Sequence, residues 1–250
     1  MSYKAAGEWF MSHKLSDRIG AYVRRRLGIP PRLVRVPILG RNFITREGTI
    51  RGQADYDDAW FLACALHADT VFDVGAHTGD STLMALLSPT VKKVILVEAN
   101  AKALSVAADN LILNQLSPKA HFVAAFAGEV DNSTVKFWTV GTGAAGSMYK
   151  SHAVSASKSN SYMEVPTVTL DSLCDQYQVI PDLVKIDVEG AEHKVLAGSR
   201  KCAQQGKTRF LVEMHSNPDM PMRQNATLVL EWCRSVIALC TCIAPNNRNA

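Results

Sequence analysis

The side chains with the types and placement to do chemistry are carboxylates and one histidine at the ends of apolar runs. Asp73 precedes a loop with glycines at 75 and 79, and Glu98 follows Val94-Ile95-Leu96-Val97. Asp187, Glu189 and Glu192 lie in Lys185-Ile186-Asp187-Val188-Glu189-Gly190-Ala191-Glu192, and Glu213 and His215 follow Leu211-Val212. Carboxylates in a cleft hold cations or hydroxyl groups, and a histidine titrating near neutrality can take a hydroxyl proton. The set therefore suits proton removal from an acceptor beside a bound ligand.

Residues 71–80 organise the elements that must position these groups. They read as a buried strand, a glycine loop and the start of a helix continuing to Leu87. Glycines let a ligand approach the backbone, and a helix N-terminus offers unpaired N–H groups. Two adenosine-containing ligands compete for such a cradle. A dinucleotide wants G-x-G-x-x-G under its pyrophosphate, whereas S-adenosylmethionine carries no phosphate. Here the pattern is Asp73-x-Gly75-x-x-x-Gly79. An acid before the first glycine repels a pyrophosphate but can hold a methionine ammonium. Glu98 can accept two ribose hydroxyls, a feature that NAD sites share.

From Asp69 onward, strands (70–74, 93–97, 121–125, 183–186, 209–213) alternate with helices (80–88, 101–114, 189–204, 223–237), which predicts a mostly parallel, doubly wound α/β sheet. Ligands of such sheets bind at the carboxyl ends of the strands, so the acids above should converge there. Asp187 ends its strand beside the cradle, where a methyl sulfonium would point. Residues 129–170 interrupt the alternation as a β-hairpin-like insertion, with strands at 134–140 and 163–170 around a mobile Gly/Ser-rich loop, 141–161. Ser147 and Tyr149 are candidate substrate contacts there. Residues 1–54 form an N-terminal extension, helical at 3–28, with short extended stretches at 33–39 and 43–45; residues 55–250 form the main domain, entered through a helix at 55–66 capped by Asp55.

The net charge of +4 divides unevenly: residues 1–52 hold eleven Lys/Arg against three Asp/Glu, and the remainder holds sixteen against twenty. The basic front end carries neither interleaved aromatics nor a nucleic-acid motif, so no nucleic-acid partner is expected. No apolar run approaches the ~20 residues of a membrane span, so a cytoplasmic protein without a transmembrane segment is expected. The six cysteines have no C-x-x-C spacing and read as reduced thiols, and no metal-ligand signature stands out.

Residues 71–80, Val97-Glu98-Ala99-Asn100, residues 110–114, Thr167-Val168-Thr169-Leu170-Asp171, and above all residues 185–192 with Val212-Glu213-Met214-His215, resemble the FkbM-type S-adenosylmethionine-dependent methyltransferases over residues ~55–216. The resemblance implies a Rossmann-like class I methyltransferase fold and O-methylation of a hydroxyl on a sugar, glycan or natural-product small molecule. It implies S-adenosyl-L-methionine as cofactor, held by Asp73, Gly75, Ala76, Gly79, Glu98, Ala99 and Asp187. Asp187, Glu189 and His215 would form the reaction centre, with His215, or Asp187 acting with it, as general base. His77 shapes the glycine loop or faces solvent. The alternatives are a non-catalytic S-adenosylmethionine-binding or interaction protein and an NAD-dependent oxidoreductase. The closing antiparallel strand pair of such sheets is expected to be incomplete, with one strand at 236–243: either the sheet ends early, leaving an edge through which the chain could form a homo-oligomer, or the chain is a shortened version of the domain.

Overall fold

A computed structural model describes residues 27, 29, 31–51, 55–142 and 146–236. The helix expected at 3–28 and the strand expected at 236–243 lie almost wholly outside these residues. Among the described residues, the first elements are an antiparallel hairpin, β1 (Leu33–Ile38) and β2 (Arg41–Arg46), followed by α1 (Tyr56–Ala65). Asp55 caps α1 in a reciprocal capping box with Asp58. Next come β3 (Thr70–Val74), α2 (Asp80–Ala85), β4 (Lys93–Glu98), α3 (Ala101–Leu113) and β5 (Ala120–Ala124). The insertion supplies β6 (Phe126–Ala127), β7 (Thr134–Trp138), α4 (Val154–Lys158) and β8 (Tyr162–Val168). The chain then runs through α5 (Leu170–Tyr177), β9 (Leu183–Ile186), α6 (Glu192–Ala197), α7 (Arg200–Gln204), β10 (Arg209–Val212) and α8 (Met222–Ser235).

Five strands form one parallel sheet in the order β10-β9-β3-β4-β5. Both faces are buried because alternate residues feed separate cores. Val71, Val94, Leu96 and Leu183 pack with Phe61, Leu83 and Leu111 on one face. Phe72, Val74, Ile95, Val97, Val184 and Ile186 pack with Leu173, Leu196 and Trp232 on the other. Strand order reverses between β3 and β9, the switch point at which such sheets open a crevice. Register completes the arrangement: Val74 pairs with Val97 and Ile186, and Ile186 with Val212. The residues that follow, Gly75, Glu98, Asp187 and Glu213, therefore stand in one row.

The insertion differs from a lone hairpin. Strand β8 pairs antiparallel with β7 and parallel with β6, making a three-stranded sheet, and α4 occupies part of the expected loop. Leu170, expected to end a strand, instead starts α5, a helix that the apolar β-branched run 165–170 concealed. Its cap is Thr169, which accepts from Ser172 N and is itself gripped by Asp131. The helix expected at 189–204 breaks at Gly198 and Ser199 into α6 and α7.

The front hairpin is tied to the body by side chains that imitate strand pairing. Asn114 accepts from Ile44 N (2.9 Å) and donates to Ile44 O (2.7 Å), while Asn110 accepts from Arg46 N. Replacing Asn114 by Ala removes both Ile44 bonds, at ~1–2 kcal/mol of local stability. Hydrogen exchange should then quicken by roughly tenfold at Ile44, with the five-stranded sheet unchanged; equal quickening throughout the chain would contradict this docking.

Candidate active site

The loop after β3 forms the floor of the crevice. Gly75 and Ala76 both donate to Val97 O, pulling the loop against the end of β4. Gly75 has a φ of +82°, and a Cβ there would overlap the carbonyl oxygen of Asp187. Only glycine lets the ends of β3 and β9 approach this closely. His77 N (2.9 Å) and Asn100 N (2.7 Å) donate to the two oxygens of Glu98, which is 7% exposed at the cavity wall. Burial raises the Glu98 carboxyl above its usual range, against the opposing pull of those two N–H groups. Ala76, Ala99 and Asp187 line the same cavity, of about 1100 Å³, which can hold a cofactor and an acceptor together.

Two sequence-predicted residues lie elsewhere. Asp73 is fully buried: Ser81 Oγ (2.7 Å) and Thr82 Oγ1 (2.5 Å) donate to its carboxylate. It anchors the start of α2 and offers no surface to a ligand ammonium, because its position in β3 points it into the helix-covered face. Gly79, with φ +93°, caps α2 and faces Ala107 of α3, so its lack of a side chain serves helix packing.

The strand ends and the loop before α6 bring the acids together around His215. Its Nε2 lies 3.8 Å from Asp187 Oδ1, 3.6 Å from Glu189 Oε2 and 3.7 Å from Glu213 Oε1. On the other side, Nδ1 donates to Glu192 Oε1 at 3.2 Å, a donor role assigned from its carboxylate partner. Glu192 has no exposed surface and also accepts from Gly190 N (2.9 Å) and Asn225 Nδ2 (2.6 Å). It is a buried post binding the acidic loop to α8. Glu189 sits at φ +56°, a left-handed conformation costly for a residue with a Cβ, of order 1–3 kcal/mol, of the kind that clusters at functional sites.

Burial alone would lower the His215 imidazolium, but the bond to Glu192 and the charges of Glu189 and Asp187 outweigh it and raise its pKa to about 9. His215 is therefore protonated at neutral pH, which corrects the expectation of a neutral general base. Burial, and next Asp187, raise Glu213 above its usual range.

Sequence reasoning missed several members. His152, from the insertion, places Nε2 2.6 Å from Glu189 Oε2 and packs edge-on to His215. Nothing in its Gly/Ser-rich surroundings signals this. Lys185 donates to Asp187 Oδ2 (2.9 Å) and, being the register partner of Asp73, neutralises charge on both strands. Ser147, a candidate substrate contact, is instead fully buried and donates to Glu189 O; Tyr149 is half-buried nearby. His77 and Asn100 hold the turn after β7 beside the cradle, with His77 Nε2 2.7 Å from Thr142 O and Asn100 Nδ2 2.9 Å from Gly141 O. Asp80 is largely buried at the cavity wall, and its Oδ1 has no hydrogen-bond partner among the described residues. The cluster makes a direct prediction: in the ligand-free protein, NMR titration should find His215 still protonated at pH 7 and losing its charge through pH about 9. A midpoint near the ordinary histidine value would contradict the surrounding carboxylates.

The family model described as the methyltransferase FkbM domain matches residues 73–233. Among solved structures, a methyltransferase FkbM from Methylobacillus flagellatus is 16% identical, with a TM-score of 0.45, over 68% of this chain and 37% of that one. A SAM-dependent methyltransferase from Agrobacterium tumefaciens is 13% identical, with a TM-score of 0.49, over 80% of this chain and 58% of that one. This chain thus spans less than two thirds of the length of either. No curated protein matches. Among the described residues, no helix is long and apolar enough to cross a membrane. With the match covering more than half of the chain and including Glu98, Asp187, Glu189, Glu213 and His215, the chain belongs to the FkbM methyltransferase domain family, whose cofactor is S-adenosylmethionine.

Proposed function

We propose that this chain transfers the methyl group of S-adenosylmethionine to a hydroxyl of a sugar, glycan or natural-product small molecule, with residues 55–250 as the methyltransferase body and residues 129–170 covering the acceptor side. The contact between Gly75 and Asp187 carries this reading, because it sets the acidic group around His215 directly beside the cofactor cradle.

The residues present fit the cofactor. Glu98 has both oxygens at the cavity wall with lone pairs to spare after its two backbone donors, which suits ribose hydroxyls. Asp80 lines the cavity with a side chain 23% exposed, and its carboxylate suits the methionine ammonium, the role first expected of Asp73. When bound, S-adenosylmethionine supplies an electrophilic methyl group. The chain must then orient the acceptor oxygen and receive its proton. His215, already protonated, cannot receive it. Glu189 is best placed: its Oε2 faces the cluster and contacts His152 Nε2 at 2.6 Å, a route by which the proton can leave. An exposed edge-to-face pair, Tyr56 and Trp60, lines the same cavity and offers apolar ring faces of the kind a sugar can lie against.

Replacing Glu189 with Gln should lower the turnover number by roughly 10²–10⁴-fold while leaving S-adenosylhomocysteine affinity within a few-fold. Unchanged turnover would remove Glu189 from the mechanism. Trp60→Ala should raise the acceptor KM by about tenfold with cofactor affinity retained; an unaltered acceptor KM would place the acceptor away from α1.

A further inference from the structure

The trio Asp187, Glu213 and His215 has one feature that proton transfer alone does not explain. Their ligating atoms all lie within 4.8 Å of one another, yet no hydrogen bond among the described residues links them. Each member has a single atom directed at the shared space. Asp187 Oδ2 is taken by Lys185, leaving Oδ1 facing His215. Glu189 Oε2 already contacts His152, which sets Glu189 apart from the trio. Glu192 holds Nδ1 of His215, so a neutral imidazole would present the Nε2 lone pair to the two carboxylate oxygens. An ion entering that space displaces the Nε2 proton of His215, and the freed nitrogen and the two carboxylate oxygens then all face it as lone-pair donors.

Distances agree with a metal ion in that space. Ligands about 2.1 Å from a common ion stand up to about 4.2 Å apart, and His215 Nε2 is 3.8 Å from Asp187 Oδ1 and 3.7 Å from Glu213 Oε1. The surroundings are those of a metal histidine: a fully buried carboxylate on its second nitrogen, itself fixed by Gly190 N and Asn225 Nδ2. Asp187, Glu189, Glu192 and Glu213 also outnumber Lys185 as fixed charges. Two oxygens and one imidazole, open towards a cavity, suit an oxygen-preferring divalent ion of the Mg²⁺ or Mn²⁺ kind with positions left for outer ligands.

We propose that Asp187 Oδ1, Glu213 Oε1 and His215 Nε2 bind one divalent cation, and that its open positions take the acceptor through two neighbouring oxygens. This narrows the acceptor to compounds that chelate, such as a vicinal diol, and rests on the methyl-transfer reading above. In the step itself, the acceptor O–H proton passes to Glu189 and the oxygen forms a bond to the methyl carbon. The S–CH₃ bond breaks with its electron pair remaining on sulfur, leaving the thioether S-adenosylhomocysteine.

Calorimetric titration of the chelator-stripped chain with Mn²⁺ tests the site without turnover. The expected result is one ion per chain with a dissociation constant below about 1 mM. Glu213→Gln and Asp187→Asn should each weaken Mn²⁺ by tenfold or more, while each variant keeps the circular dichroism spectrum and melting temperature of the unaltered chain, showing that it is folded. Absent Mn²⁺ binding, or equal binding by both variants, overturns the site. S-adenosylhomocysteine titrated in excess chelator reports on the cofactor reading separately: no binding there, by a chain that takes up Mn²⁺ in the first titration, would sink the methyl-transfer reading and leave the metal site standing.

Discussion

The site depends on one steric constraint, the backbone contact between the ends of β3 and β9. A Cβ at position 75 would coincide with the carbonyl oxygen of Asp187, so a glycine is what allows the cradle and the acidic loop to share a wall. Parallel register then does the rest. With Val74 opposite both Val97 and Ile186, each strand end delivers its next residue to the same edge. The glycine floor, Glu98, Asp187 and Glu213 thus form a row through ladder geometry alone, without any loop having to reach for its place.

So many carboxylates at one edge repel one another, and hydrogen-bond donors behind the crevice keep the arrangement together. Lys185 is 14% exposed and stands between Asp73 and Asp187, so the sheet carries its own counter-charge just beneath the crevice. Removing either partner would leave a partly buried charge unpaired. On the other side Glu192 is itself held by donors, with a backbone N–H, an imidazole and an amide converging on it. These supports leave Glu189 in its left-handed conformation and keep His215 oriented towards the cavity.

Much of this was legible in the sequence. Apolar runs of strand length gave the five parallel strands, because strands buried on both faces read as continuous hydrophobic segments. The acids ending those runs identified the edge. What eluded the sequence were properties of direction and long-range contact. Asp73 has the residue type for binding an ammonium, but strand alternation turns it under α2, whereas Asp80 has an oxygen left unpartnered at the cavity wall. His152 comes from a Gly/Ser-rich insertion whose own pattern says little, and only its packing carries it to Glu189. The basicity of His215 was misread because it is set by Glu192 and Glu189, neither adjacent to it in the chain. Helix α5 was hidden by β-branched residues that lead up to its Thr169 cap.

The insertion completes the enclosure. The turn after β7 is latched to His77 and Asn100, and Ser147 bonds the backbone of Glu189, so one segment touches both the cofactor side and the acceptor side. A crystal structure of the chain with S-adenosylhomocysteine tests the central claim most directly. The account predicts ribose hydroxyls on Glu98, the amino group near Asp80, and the sulfur facing the group formed by Asp187, Glu189, Glu213 and His215. A cofactor bound elsewhere, or with its sulfur turned away from that group, would contradict it.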